Sequence, residues 1–182
     1  MENHVCPWWV AYTFDNPLRA LVHRPKRIFS SFVKEGMIVA DIGCGLGYFS
    51  LGLARIVKTG GKVIAADIQE KMLATVEKRA LRKGLSEIIH PHLCKGDDIG
   101  ITEPVDMVLS FWMFHETVDK RLFVRQVKSI LKDSGVLFVA EPRFHVPLPV
   151  FEKEIQIALD EGFGIKVSPR IAMSHAVVLE KR

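Results

Sequence analysis

The sequence predicts an α/β protein built on a doubly wound, mostly parallel sheet. Short apolar runs alternate with helical patterns five times before residue 143, the order that places helices on both faces of parallel strands. One strand-to-helix junction is glycine-rich: VADIGCGLGYFS, residues 39–50. After the last helix, two strand patterns meet across Ser168-Pro169-Arg170, a turn short enough for a hairpin, so the final strand should run antiparallel to its neighbours.

A chain of 182 residues is most simply one domain with a sizeable core. We expect a single domain over 1–182, with a helical and aromatic arm over 1–35 and the core over 36–182. The arm carries Trp8, Trp9, Tyr12 and Phe14; Pro17 opens a short helix, and Pro25 stands near the start of another running to about Val33. Folded over the core, such an arm would act as a lid or packing element.

The first strand ends in Asp41, and Gly43, Gly45 and Gly47 follow before a helix running to about Val57. Glycines here admit positive φ and let a ligand approach the main chain. A dinucleotide fingerprint needs its third glycine three residues after the second, where Tyr48 stands, and a phosphate loop needs a Lys-Ser or Lys-Thr that is missing. The second strand, KVIAAD, ends in Asp67, twenty positions past Gly47. An acid at that strand end can accept both hydroxyls of a ribose.

A helix from Gln69 to about Lys83 presents Met72, Leu73, Val76 and Ala80 on one face and stops at Gly84. A third strand over 88–93 leads into Cys94-Lys95-Gly96-Asp97-Asp98, and a fourth over 105–111 into Trp112-Met113-Phe114-His115-Glu116. The next helix, about Val118 to Leu131, should turn Leu122, Val124, Val127, Ile130 and Leu131 inward. The fifth strand, GVLFVAE, ends in Glu141-Pro142; a helix over 150–161 and strands over 165–167 and 172–179 complete the chain.

An acid two places before G-x-G-x-G resembles the first motif of the Rossmann-like, class I S-adenosylmethionine-dependent methyltransferases. Asp67, the Gly96-Asp97 turn and the hairpin tail match that family's further motifs, over residues 30–182 and in the order of its seven-stranded sheet with one reversed strand. The resemblance implies that S-adenosylmethionine is the cofactor. Asp41 would hold its methionine ammonium, and Gly43, Gly45 and Gly47 would line methionine and ribose. Asp67 would take the ribose hydroxyls, Ile68 and Met72 would pack near adenine, and Asp97, assisted by the Asp98 backbone, would receive the adenine amine. Ser110 and Phe111 would lie along the methionine.

The sulfonium is already an activated methyl donor, so the protein must chiefly hold a nucleophile in line with the S–CH₃ bond and exclude water. A base is needed only when the nucleophile must lose a proton. Candidates cluster after the fourth and fifth strands: His115, Glu116, Glu141 and His145, with His115 and His145 preferred. Each also has a structural reading, as helix cap or backbone partner. Ser110-Phe111-Trp112-Met113 replaces the Asn-Pro-Pro-Tyr type of fourth motif, which disfavours adenine or glutamine as acceptor. Trp112, Met113, Phe114 and Phe144 instead point to a small apolar or aromatic molecule, unless they are core residues. The layout resembles the branch that includes the quinone-biosynthesis methyltransferases, without an inserted substrate domain.

Net charge is +4, but Lys78, Arg79, Arg82 and Lys83 crowd one helix end where cations complement the dipole, and no stacking aromatics interleave them. A nucleic-acid partner is therefore disfavoured. No apolar run nears the ~20 residues of a membrane span, and the start lacks the plan of a signal peptide, so a cytoplasmic location is expected. Three cysteines without secretory context read as reduced thiols. Cys6, Cys44 and Cys94 together would suit a soft metalloid acceptor, although the cysteine spacing of arsenite methyltransferases is not reproduced. No resident metal is expected. A homodimer is compatible with so short a domain, and a cofactor-binding module without its own catalysis, or one that acts only with a partner subunit, is the competing class of function. A nicotinamide-dependent oxidoreductase is disfavoured by the glycine spacing and the hairpin tail.

Overall fold

The structure is a computed structural model and describes residues 17–182. Expectations for Cys6, Trp8, Trp9, Tyr12 and Phe14 lie outside the described residues. Helices α1 (Pro17–Val22) and α2 (Pro25–Phe29) each begin at a proline, whose fixed φ and missing N–H suit that position. The second is shorter than expected: Phe32 and Val33 both donate their N–H to the Phe29 carbonyl, turning the chain before Val33. Phe29 and Val33 are fully buried in the core. This part of the expected arm is thus structural, packed beneath the sheet.

Five strands follow in parallel: β1 (Ile38–Ile42), β2 (Lys62–Asp67), β3 (Ile89–Leu93), β4 (Val105–Phe111) and β5 (Leu131–Pro142). Between them run α3 (Tyr48–Val57), α4 (Glu70–Arg82) and α5 (Lys120–Ile130). Helix α6 (Leu148–Asp160) leads to β6 (Phe163–Val167) and β7 (Ser174–Lys181). The sheet has seven strands in the order β3-β2-β1-β4-β5-β7-β6, and β7 runs antiparallel to both neighbours. The hairpin and the reversed strand therefore stand where the sequence put them. β6 begins earlier than expected because Phe163 and Gly164 already pair with Lys181 and Glu180.

The two-residue period of a strand sorts the apolar side chains into two layers. Val39, Met107, Leu109 and Phe138 join Phe29, Phe49, Leu53 and Val76 under α2, α3 and α4. Ala40, Val108, Leu137 and Val139 join Phe123, Val127, Phe151 and Ile155 under α5 and α6. One inward residue was misassigned: Leu122 is exposed, and Phe123 is buried in its place. The Asp119 carboxylate accepts the Leu122 N–H at 2.9 Å and fixes where α5 starts. From that start Phe123, Val124, Val127 and Ile130 form the inner stripe, and Leu122 falls outside it. Among the described residues no helix is long and apolar enough to cross a membrane.

Candidate active site

Strand order reverses between β1 and β4, which lie side by side. In open parallel sheets that is where the carboxyl ends of the strands diverge and leave a crevice. Here the crevice is a cavity of about 740 Å³, walled on one side by Asp41 to Leu46, Asp67, Met72 and Asp97, and on the other by Trp112, Met113, His115, Glu116, Phe144 and His145.

The first wall is a turn tied to the end of the neighbouring strand. The N–H groups of Gly43 and Cys44 both donate to the Ala66 carbonyl at 2.8 and 3.0 Å. The Gly45 N–H donates to Asp67 Oδ2 at 2.9 Å, and Asp67 Oδ1 accepts the Gln69 N–H at 2.9 Å. Asp67 thus braces the loop as well as facing the cavity. Gly43 has φ +71°, and a Cβ there would collide with the Met113 side chain. Gly43 and Gly45 line the cavity; Gly47 stands behind it, where a Cβ would press on Val76 at 2.9 Å.

Asp41 is buried and accepts the Ser50 hydroxyl at 2.5 Å. Burial raises its carboxyl to about 6, against the opposing pull of the Ser50 hydrogen bond and the Arg19 charge. Burial also raises Asp67, opposed by the N–H groups of Gln69 and Gly45. Ile68 is a half-exposed rim residue, while Met72 is buried, and both line the cavity. Asp97 lines it too. Asp98 is turned away, its carboxylate accepting the Gly100 N–H at 2.8 Å. Phe111 reaches the cavity, whereas Ser110 is buried outside the lining with a hydroxyl that has no hydrogen-bond partner among the described residues.

The opposite wall begins at Trp112, whose φ of +61° is rare for a bulky residue. Its N–H donates to the Ala140 carbonyl at 2.7 Å and its indole N–H to the Ser174 hydroxyl at 2.9 Å, so strands β5 and β7 hold the conformation. Phe144 stands edge-on to Trp112 with centroids 5.5 Å apart and is 62% exposed. Phe114, weighed as a rim residue, is instead core: it is 1% exposed and packs on Phe123. It begins a 3₁₀ turn, Phe114–Glu116, that carries His115.

Glu141, at the end of β5, is fully buried. One carboxylate oxygen accepts the Phe114 N–H at 2.8 Å, and the other meets His115 Nδ1. Burial lowers the His115 pKa, but the Glu141 hydrogen bond and charge, with Glu116 and Glu154 beyond, outweigh it and leave the imidazole raised. The rings of His115 and His145 are 4.9 Å apart. The structure therefore brings both predicted histidines to one cavity and distinguishes them by the carboxylate behind His115.

Arg19 was missed by sequence reading. From α1 it lines the cavity, with its guanidinium 4.9 Å from the ring centroids of Tyr48 and Phe49 and 5.5 Å from that of Trp112. His23 fixes this segment: its Nε2 meets the Ala172 carbonyl at 2.8 Å, and its own carbonyl accepts the Tyr48 hydroxyl at 2.7 Å. No local spacing links residue 19 to the glycine turn, so only the fold could find it. Cys44 and Cys94 do share the cavity, but burial raises both thiols, Cys94 to about 12. Groups held protonated in this way are poor metal or metalloid ligands. Among the described residues no cluster of three or more histidine, cysteine or acidic side chains is arranged to hold a metal.

A family profile described as a methyltransferase domain matches residues 33–163. The ubiquinone biosynthesis O-methyltransferase of Caulobacter vibrioides is 33% identical over 106 residues, covering 58% of this chain and 41% of that protein. The ubiquinone/menaquinone biosynthesis C-methyltransferase of Cellvibrio japonicus is 31% identical over 124 residues, covering 66% of this chain and 50% of that protein. The chain spans about half the length of the curated relatives it matches. Among solved structures, a SAM-dependent methyltransferase from Aquifex aeolicus superposes with a TM-score of 0.84 at 24% identity, covering 96% of this chain and 98% of that one. Fibrillarin of Aeropyrum pernix with natively bound S-adenosyl-L-methionine gives a TM-score of 0.64 at 19% identity, covering 89% of this chain and 70% of that one. At these identities the structural likeness shows the fold.

Proposed function

This chain belongs to the class I S-adenosylmethionine-dependent methyltransferase family, and on that premise we propose that it transfers a methyl group, in line, to a small apolar or aromatic molecule. One observation carries the reading: Asp41 and Asp67, two buried carboxylates at adjacent strand ends, face the same side of one large cavity. Buried carboxylates left facing an open volume fit a ligand that brings both a cation and hydroxyl donors.

In this reading Asp41 pairs with the methionine ammonium, and Arg19, whose charge acts on Asp41, takes the carboxylate. Each Asp67 oxygen already accepts one backbone N–H and keeps acceptor capacity for a ribose hydroxyl. Ile68 and Met72 flank the adenine, and Asp97 takes its amine. Bound S-adenosylmethionine supplies the activated methyl; the protein positions the acceptor and keeps water out. Trp112, Phe144 and Met113 give the acceptor an apolar surface. Residues 17–182 act as one domain in this reading, with the segment from Arg19 to Val33 serving as a packing arm that supplies part of its wall and core.

A screen with labelled methyl donor over metabolite, RNA and protein pools tests the reading. Label appearing in a small apolar or aromatic product, together with saturable binding of S-adenosylmethionine, is the expected outcome. Label confined to RNA or protein would reverse the acceptor assignment.

A further inference from the structure

We infer that one side of the cavity mouth, the side of Phe144, is a docking surface for an anionic lipid bilayer. The sheet decides which segments share this surface. Strands β4 and β5 end where the cavity opens, and because β7 runs antiparallel to β5 its first residues stand at the same end, Ser174 pairing with Pro142. Three segments meet there. The Arg143 N–H donates to the Met173 carbonyl at 2.9 Å, which ties the connection before β7 to the loop after β5. His23 Nε2 meets the Ala172 carbonyl at 2.8 Å, which ties the end of α1 to the same connection.

Each segment carries an apolar side chain out into water. Leu21 of α1, Phe144 and Leu148 after β5, and Met173 before β7 are between 48% and 66% exposed. A single exposed leucine is ordinary on a protein surface, but four such side chains from three segments at one edge of one cavity mark an interaction site. Cations accompany them: Arg24, Arg143 and Arg170 are exposed in the same segments. No aspartate or glutamate occurs in residues 17–34, 142–151 or 162–179. Exposed acids stand on the other sides of the mouth, Glu70, Asp97 and Asp98 after β2 and β3 and Asp119 before α5. The charge therefore changes sign across the opening, and only one side suits an anionic partner.

The combination selects the occupant. A second copy of the chain would set cation against cation across a two-fold interface. A nucleic acid would neutralise the arginines but press Leu21, Leu148 and Met173 against sugar and phosphate. A folded acidic partner would need a matching pocket for each protrusion. A bilayer needs none, because apolar tips enter the acyl boundary wherever they fall while the guanidinium groups stay among anionic headgroups. Phe144 belongs to both structures: it lines the cavity and stands among the protrusions. Docking there sets the wall of Trp112 and Phe144 at the lipid, where an apolar molecule is already concentrated, and leaves the acidic side of the mouth in water. Each arginine near such a surface strengthens binding roughly fivefold, so the attachment is reversible and weakens with salt.

The test floats the full chain with vesicles of equimolar phosphatidylglycerol and phosphatidylcholine, with vesicles of phosphatidylcholine alone as the reference. The chain should rise with the anionic vesicles, stay behind with the neutral ones, and be released by high salt. Arg24→Glu together with Arg170→Glu should lower vesicle affinity roughly 25-fold or more. Leu21→Ser together with Leu148→Ser should lower it at least roughly tenfold. Leu81→Ser, which changes an exposed leucine near the far end of α4, should leave it unchanged. Titration with S-adenosylmethionine shows that each variant is folded, and it keeps failure of the docking surface apart from failure of the methyltransferase reading. Absence of flotation, equal flotation with both vesicles, or an equal loss in Leu81→Ser would overturn the inference. So would a dimer, seen by sedimentation velocity, that the leucine pair dissolves in a chain that does not float, or retention of RNA that the arginine pair abolishes in such a chain. If the paired variants do not fold, the contrast between the two vesicles with the wild-type chain still decides.

Discussion

The two walls of the cavity are built differently. The wall from Asp41 to Asp97 consists of strand ends and the turns directly after them, so each functional side chain is placed by the few residues beside it. Asp67 illustrates this: its two backbone hydrogen bonds go to Gly45 in the glycine turn and to Gln69 in the next residues of the chain. The wall from Trp112 to His145 is assembled across the fold. Trp112 keeps its positive φ through partners on β5 and β7, and His115 keeps its orientation through Glu141, distant in sequence. A wall made of local turns suits a fixed ligand, while a wall made of tertiary contacts is where relatives sharing one fold can differ in what they methylate.

If that contrast holds, substitutions on the first wall should act on the cofactor and those on the second on the acceptor. The largest effect is expected for Asp67→Ala, which removes two charge-assisted hydrogen bonds and the proposed ribose acceptor together. At about 1.5–3 kcal/mol for a hydrogen bond to a charged group, S-adenosylmethionine affinity should fall at least ~100-fold by calorimetry. A change below tenfold would place the ribose elsewhere.

Next comes the pH dependence of Asp41. Its carboxyl is raised to about 6, above its ordinary value in the unfolded chain, so between the two values the folded state holds a proton that the unfolded state has released. The associated stability is present below the ordinary carboxylate range and is lost as pH rises through about 6. Thermal unfolding of the ligand-free protein should therefore show stability falling from pH 5 to 7, and Asp41→Asn should reduce that slope, leaving the part that comes from Asp67, Glu154 and His115, which are also raised. Cofactor binding should show the opposite trend, strengthening about tenfold per pH unit below the midpoint, because an ammonium prefers the ionised carboxylate. Parallel trends in stability and affinity would contradict the assignment.

On the second wall, Phe144→Ala should raise KM for an aromatic probe such as 2-naphthol about fivefold, the order expected from losing one aromatic contact of about 1 kcal/mol. Steady-state kinetics would check this, with cofactor affinity unchanged because Phe144 is a rim residue. The smallest effect is expected at Lys166→Ala, which breaks an exposed pair with Glu180 on the far edge of the sheet. It should shift stability by no more than about 0.5 kcal/mol and leave both ligands unaffected.

The same contrast explains what was legible in the sequence. Asp41, Gly43, Gly45, Asp67, Met72 and Asp97 could be found because strand end, turn and helix start follow one another in the chain, and each lines the cavity. Gly47, Asp98 and Ser110 belong to the same motifs but stand off the lining; a motif gives neighbourhood, while the direction of a side chain depends on the turn's dihedral angles. Phe114 and Leu122 show the limit for apolar residues. Both sit beside a helix start, and a shift of one residue in that start exchanges core for surface. Arg19 and the pairing of His115 with Glu141 were out of reach because only the folded sheet brings those residues together.

The central claim, that the glycine-turn wall is a site for S-adenosylmethionine, is tested most directly by titrating the protein with S-adenosylmethionine and, separately, with NAD in a calorimeter. The account predicts saturable one-to-one binding of the first and none of the second. Binding of NAD alone, or of neither ligand, would contradict it.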